Sequence, residues 1–361
     1  MSGWGVADKM GCLQSENRSS GLSKIHLNKL FLLMVGLSLL LGCGDPSKTR
    51  EGAKTTDQGY QGKYPIVAVA TVGMVADLVR NVGGEHVKVV QVMGSGIDPH
   101  LYKATRDDVQ KLLDCEIVFY SGLMLEGKLS DVLVKVARGK PVVAVTEQIE
   151  ASKLLEPEDF QGHLDPHVWM DVDAWSRGGE AVATALSKLD PTHSDQYRRN
   201  SQAYQLQLAE LHEYGKTALG SIPREQRILI TSHDAFNYFG RAYGLEVQGI
   251  QGLSTESEAG LQRINDLVSL IVEKGVRSVF VESSVPRKNV EAIVEGVRSR
   301  GKEISIGGEL YSDAMGKQGD YEGTYIGMLD HNITLVARSL GGEAPEGGLH
   351  GKLKTVHGTE K

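Results

Sequence analysis

Two short stretches, IDPHLYK at 97–103 and LDPHVWMD at 164–171, each place a histidine directly behind Asp-Pro: Asp98-Pro99-His100 and Asp165-Pro166-His167. Proline fixes its own φ near about −65° and restricts the residue before it, so each histidine is presented from a stiffened loop. Metal ligands gain from this, because less freedom is lost on binding. Asp98, Asp165 and Asp171 stand near enough in sequence to orient an imidazole through its second nitrogen, as metal-bound histidines require. Asp-Pro is also a common way to start a turn; one such tripeptide means little, and two are informative. His233, in ITSHDAFNYFG, is a third candidate. His163 precedes His167 by four residues, a spacing that would put both on one helix face. Pro166 disfavours that helix, so His167 is preferred as ligand and His163 reads as a loop residue. For a fourth ligand two acids compete: Glu282 in VFVESSVP and Asp313 in GGELYSDAMG. Position alone does not decide between them.

The elements that must hold these residues are legible as βα units. Short apolar, β-branched runs alternate with helical patterns, as in folds built on parallel sheets. The first set of strand-like runs is PIVAVA (65–70), VKVVQVM (87–93), EIVFY (116–120) and PVVAV (141–145). The second is RILIT (227–231), LEVQGI (245–250), RSVFVE (277–282) and KEISI (302–306). Thr105 followed by Asp108 predicts a capping box on a helix over 105–114. Between the sets, 191–220 starts near a proline, ends at a glycine and is rich in helix formers, which predicts one long helix of roughly 45 Å. The fold expected is therefore α/β, with two lobes (64–190 and 221–340), each a mostly parallel four-stranded sheet flanked by helices, joined by a single stiff helix. His100, His167 and His233 all follow predicted strands at their C-terminal ends, where open α/β sheets place ligands. The remaining histidines read as surface, turn, core or tail residues.

The chain has 361 residues, net charge −7, 24% charged and 40% hydrophobic residues, and no long basic run, which argues against nucleic-acid binding. Residues 24–43, KIHLNKLFLLMVGLSLLLGC, have a basic start and an apolar run too short to span a bilayer comfortably, the pattern of a secretory signal. The ending Leu-Leu-Gly-Cys resembles a bacterial lipobox, which implies cleavage before Cys43 and a lipid on that residue. Residues 1–23 read as an extension from a misassigned start. Residues 44–63 are a polar tether and 341–361 a disordered tail. Cys12, Cys43 and Cys115 are the whole cysteine complement. Once Cys12 leaves and Cys43 is acylated, no disulfide framework is possible, and Cys115 in CEIVFY reads as a buried thiol.

Several longer stretches carry a family resemblance: GSGIDPHLYKATRDD, DPHVWMDV, TSHDAFNYFGRAYGLEVQGIQGLSTESEAG, VFVESSVPRKN and LYSDAMG…GTYIGM. Over about 64–340 the chain resembles the zinc- and manganese-binding solute receptors of bacterial ABC importers, the TroA/ZnuA type. The resemblance implies His100, His167, His233 and Asp313 as ligands of one ion in the cleft between lobes, with Glu282 at a position that is not usually a ligand. It implies no enzymatic activity. Its implied partners are a permease and an ATPase subunit, and no P-loop is present in this chain. The site would belong to a monomeric lipoprotein held at the periplasmic or outer surface through Cys43. Three imidazoles and a carboxylate suit a borderline divalent cation. Relatives with glutamate at the place of His233 tend toward manganese, so the third histidine leans toward zinc. A His-rich loop typical of dedicated zinc members is missing from 146–166, and manganese stands close behind. The competing readings are an adhesin or storage lipoprotein on the same fold, and a zinc hydrolase with Glu282 as base.

Overall fold

The computed structural model describes residues 60–157 and 162–354. The signal read at 1–43, most of the tether and the last residues of the tail lie outside them. In chain order the first part holds β1 (Ile66–Ala70), α1 (Gly73–Gly83), β2 (Val87–Gln91), α2 (Arg106–Asp114), β3 (Ile117–Tyr120), α3 (Ser130–Val136), β4 (Val142–Ala144), α4 (Val172–Ser176) and α5 (Gly178–Leu189). The long helix α6 (Ser194–Gly220) follows. Then come β5 (Ile228–His233), α7 (Asn237–Tyr243), β6 (Glu246–Gln251), α8 (Leu261–Lys274), β7 (Ser278–Glu282), α9 (Lys288–Ser299), β8 (Ser305–Leu310) and α10 (Tyr325–Ser339).

The α/β class is as expected, with parallel sheets flanked by helices. The first sheet is fully parallel in the order β2-β1-β3-β4, and Val69 at its centre pairs with Val90 on one side and Val118 on the other. Strands buried on both faces need continuous apolar runs, which IVAVA and IVFY supply. The second set departs from a single four-stranded sheet. Its strands form two parallel ladders, β5 with β6 and β7 with β8, with β5 lying beside β7. Strand β8 also runs later than KEISI suggests, through Gly307 and Gly308. Glycine pairs usually signal a turn, but here the strand needs them. A Cβ on Gly307 would come within 2.7 Å of Phe280, and Gly308, at φ +143°, has Leu335 at 2.8 Å from the same position.

Thr105 and Asp108 form the predicted capping box, and Cys115 is buried with its thiol directed at the Leu112 carbonyl. Helix α6 has 27 residues, about 40 Å, and begins after a 3₁₀ turn at Pro191–His193. It packs on α1, α4, α5, α7 and α10. One hydrophobic core therefore runs from β1, β3 and α1 through Tyr204, Leu208 and Leu211 of α6 to Phe236, Phe239 and Leu329. A smaller one lies among β5 to β8, α8 and α9. The expectation of a disordered tail from 341 needs correcting for 341–354. Leu349 N–H donates to Asp330, Glu343 N–H to Ser221, and Leu353 is buried. A glycine-rich, polar segment can still order when its backbone finds buried acceptors, which composition does not reveal.

The α1–α6 contact includes a dry polar bond: Tyr204 O–H donates to Asp77 Oδ2 at 2.5 Å, both side chains being buried, and Asn200 donates to the Val82 carbonyl. Tyr204→Phe would leave a buried carboxyl short of a donor, at a cost of about 1–3 kcal/mol. A urea titration of the metal-free protein should show a lower midpoint at unchanged slope. An unchanged midpoint would mean that the bond contributes nothing net.

Candidate metal centre

The two Asp-Pro-His tripeptides are Asx-type turns: Asp98 Oδ1 accepts the His100 N–H at 2.8 Å, and Asp165 Oδ1 accepts that of His167 at 2.9 Å. Each aspartate thus folds its loop back on the histidine two residues on, and proline between them fixes the bend. They differ in the second bond. Asp165 Oδ1 also takes the His167 ring at Nδ1, 2.8 Å, which leaves Nε2 facing inward. The second oxygen of Asp98 goes instead to the hydroxyl of Thr255. Asp171 orients no ring; it caps α4 and pairs with Arg241.

His233 is the last residue of β5 rather than a residue beyond it, so its backbone is fixed by the ladder to Gln251. Glu282, at the end of β7, holds it twice: Oε1 accepts its N–H at 2.9 Å and Oε2 accepts its Nδ1–H at 2.5 Å. This separates the two acids that position alone could not. Both oxygens of Glu282 are engaged on the far side of the imidazole, which also removes it as a free base for hydrolysis. Asp313, past β8, faces the three Nε2 atoms. Its oxygens lie 3.7 Å from His100, 3.5 Å from His167 and 3.2 Å from His233, and the His100 and His167 Nε2 atoms are 3.2 Å apart. A tetrahedral site with bonds of about 2.0–2.1 Å has edges of about 3.3 Å. One ligand atom from each of the four residues falls within 4.8 Å of the others, the single such group among the described residues. His163 is exposed at the mouth, beside the cleft that His100 lines.

Electrostatics point the same way. Asp313 is 1% exposed, and neither of its oxygens has a hydrogen bond; His233 Nε2 has none either. A carboxylate buried this deeply is costly unless positive charge faces it, and a cation among these atoms would supply that charge. Burial opposes charge on Asp313, but the imidazoles around it, His233 foremost, pull its carboxyl well below the usual range. Burial likewise opposes charge on His233, and the carboxylates of Glu282 and Asp313 outweigh it, raising its pKa well above the ordinary value. His100 is pushed down to about 4 by burial, against the pull of Asp313.

Sequence reasoning missed the residues that tie these loops together. Trp169 Nε1–H donates to the Ser312 carbonyl at 2.9 Å, and Tyr325 O–H to the Trp169 carbonyl, so the His167 and Asp313 segments are stitched directly. Asn237 and Tyr238 of α7 donate to the side chain and carbonyl of Asp165. Trp169 lies inside DPHVWMD and Asn237 inside SHDAFNYFG; an aromatic or amide two to four residues past each histidine was the available signal.

A fold of parallel sheets with a buried three-histidine, one-carboxylate cluster defines a metal-binding class. Residues 68–339 match the family ZnuA, zinc-uptake complex component A, periplasmic, and the chain belongs to that family. Among its relatives, the manganese-binding lipoprotein MntA of Bacillus subtilis is 44% identical over 83% of this chain and 95% of its own length. The zinc-binding protein TroA of Treponema pallidum is 45% identical over 79% of this chain and 91% of its own. Its solved structure superimposes with a TM-score of 0.74, covering 77% of this chain and 99% of that one. The manganese ABC transporter substrate-binding lipoprotein PsaA of Streptococcus pneumoniae is 29% identical over 87% and 98%. The family is one of solute-binding receptors of ABC importers, not of enzymes.

Below its raised pKa, His233 of the metal-free protein holds the proton that an incoming ion must expel; above it the nitrogen is free. Binding at neutral pH should therefore release about one proton per ion, read by calorimetry in buffers of different ionisation heat. Affinity should rise with pH until that pKa is passed. On acidification it should fall about tenfold per pH unit, then more steeply near pH 4, where His100 also protonates. Heats independent of the buffer would contradict the assignment. Glu282→Gln and Asp165→Asn should each weaken metal binding about 10- to 100-fold. Asp171→Asn, which touches no ring, should change it little.

Proposed function

We propose that this chain is an extracytoplasmic receptor that captures a divalent transition metal ion and hands it to the permease of an ABC importer. The observation that carries this is the buried Asp313 carboxylate, faced by three imidazole nitrogens, in a chain of the solute-receptor family. His100, His167, His233 and Asp313 are the ligands of one ion. Three neutral imidazoles and one carboxylate give the ligand set a charge of −1, so a divalent ion leaves about +1. Asp165 and Glu282 face the Nδ1 side of two rings and bring two further negative charges, which more than offset that remainder. Both oxygens of Asp313 point at the histidines, so the carboxylate can bind through one or two atoms. That freedom suits zinc in four- or five-fold coordination and also the larger manganese ion.

The ion is zinc or manganese. The names of the relatives divide between the two, and the intrinsic order of divalent affinities puts zinc ahead at nitrogen-rich sites. In this reading the chain has an N-terminal lobe, 64–190, and a C-terminal lobe, 221–340. Helix α6 joins them as a stiff strut that allows only a small closing motion around the ion. The mature protein is a monomer, tethered through a lipid on Cys43 and the segment 44–63 at the periplasmic or outer surface. ATP hydrolysis belongs to a partner subunit.

The test is metal content under competition. The mature chain from Cys43 onward, stripped and then offered both ions, should retain one equivalent of zinc against excess manganese by native mass spectrometry. It should take up manganese when zinc is withheld. His233→Ala should lose tight binding of either ion while remaining folded by circular dichroism. Retention of neither ion by the parent chain would overturn the receptor reading; unchanged affinity in His233→Ala would overturn the ligand set.

A further inference from the structure

The four ligand side chains are not equally enclosed. His167, His233 and Asp313 are 0–1% exposed, whereas His100 is 7% exposed and lines a cleft of about 370 Å³ open to solvent. The bonds around them differ in the same way. On the His167 and Asp313 side, the segments are joined by buried bonds from Trp169 to the Ser312 carbonyl and from Tyr238 to the Asp165 carbonyl, with a half-buried one from Asn237 to the Asp165 side chain. On the His100 side, the joining bonds come from one surface loop, 252–260, between β6 and α8. Thr255 Oγ1–H donates to Asp98 Oδ2 at 2.5 Å, and Asp98 Oδ1 holds the His100 N–H. Next to it, Glu256 pairs with Lys128 at 2.8 Å across the mouth of the cleft, both side chains a third to a half exposed.

We propose that Thr255 and Glu256 form a clasp that retains the captured ion: they position the His100 loop over the site, and the ion leaves on the His100 side when Thr255–Asp98 and Glu256–Lys128 part. This rests on the reading of His100 as a ligand. The exposed Glu256–Lys128 pair is weakened by water and salt, and the half-buried Thr255–Asp98 bond lies next to it, whereas the Trp169 and Tyr238 bonds opposite are buried, so the cleft opens where water already competes. Thr255 and Glu256 touch no metal; both act through the position of His100. The clasp therefore governs how long the ion stays, with little effect on which atoms bind it.

The experiment is stopped-flow release of Zn²⁺ into excess chelator from the mature chain. The variants are Thr255→Val, Lys128→Glu, Glu256→Lys and the charge swap Lys128→Glu/Glu256→Lys. Thr255→Val should speed release about tenfold, and each single charge change about two- to fivefold. The visible spectrum of the Co²⁺-loaded protein should stay as in the parent in every variant, and the association rate in the charge-neutral Thr255→Val. The swap should return release to within about twofold of the parent, because the pair is restored with its sign reversed. Release unchanged in the single variants, or as fast in the swap as in either single change, would overturn the clasp. If the parent chain itself holds no ion, the receptor reading fails, and that outcome is distinct from a parent that holds zinc and variants that release it no faster.

Discussion

The Asp313 carboxylate sits at the centre of this structure, faced only by imidazole nitrogens and with almost no access to water. Groups of this kind are normally buried only against a partner, because desolvation of an ionised carboxylate outweighs most single interactions in a fold. Here the facing atoms are three Nε2 nitrogens, each turned inward because something else occupies Nδ1 or fixes the backbone. The fold brings together the end of β5, the segment past β8 and two Asp-Pro-His loops, and the carboxylate gives that convergence a purpose. Without a cation the cluster resolves its charge by holding a proton on His233. With one, the proton is no longer needed.

Much of the construction around the site serves orientation. Glu282 and Asp165 fix two rings and their tautomers, and Trp169 sews the His167 segment to the Asp313 segment. A site whose ligands are held before the ion arrives loses little conformational freedom on binding. The four ligand atoms lie near the edge lengths of a small tetrahedron while both carboxylate oxygens remain available. The arrangement is pre-shaped without committing to one coordination number, which fits a family whose members are named for different metals.

The sequence was most legible where a local rule sufficed. Apolar runs located the β-strands of the first sheet, the Thr105–Asp108 pair located a helix start, and proline and helix formers located α6. The two Asp-Pro-His tripeptides pointed at two of the loops whose imidazoles meet in the buried cluster. Their aspartates looked equivalent in sequence, yet one orients an imidazole and the other reaches across to Thr255, a difference set by contacts far away in the chain. The choice between Glu282 and Asp313 was likewise invisible to position, since one ends a strand and the other lies just past one; only the direction of each carboxylate separates them. Strand β8 was misplaced because Gly307-Gly308 reads as a turn, whereas Phe280 and Leu335 occupy the space that side chains there would need. The segment 341–354 was read from composition alone, and its order depends on the buried Asp330 and on Ser221 at the surface as acceptors.

The continuous core through α6 has a consequence for the lifetime of the protein. Because helices before and after the midpoint of the chain share one apolar interior, ligand binding stabilises the fold as a whole rather than one part of it. That stabilisation grows with the ratio of free ion to dissociation constant. Cleavage by proteases follows the population of opened chains. A chain without its ion therefore opens more often, and is cleaved sooner, than one that holds it.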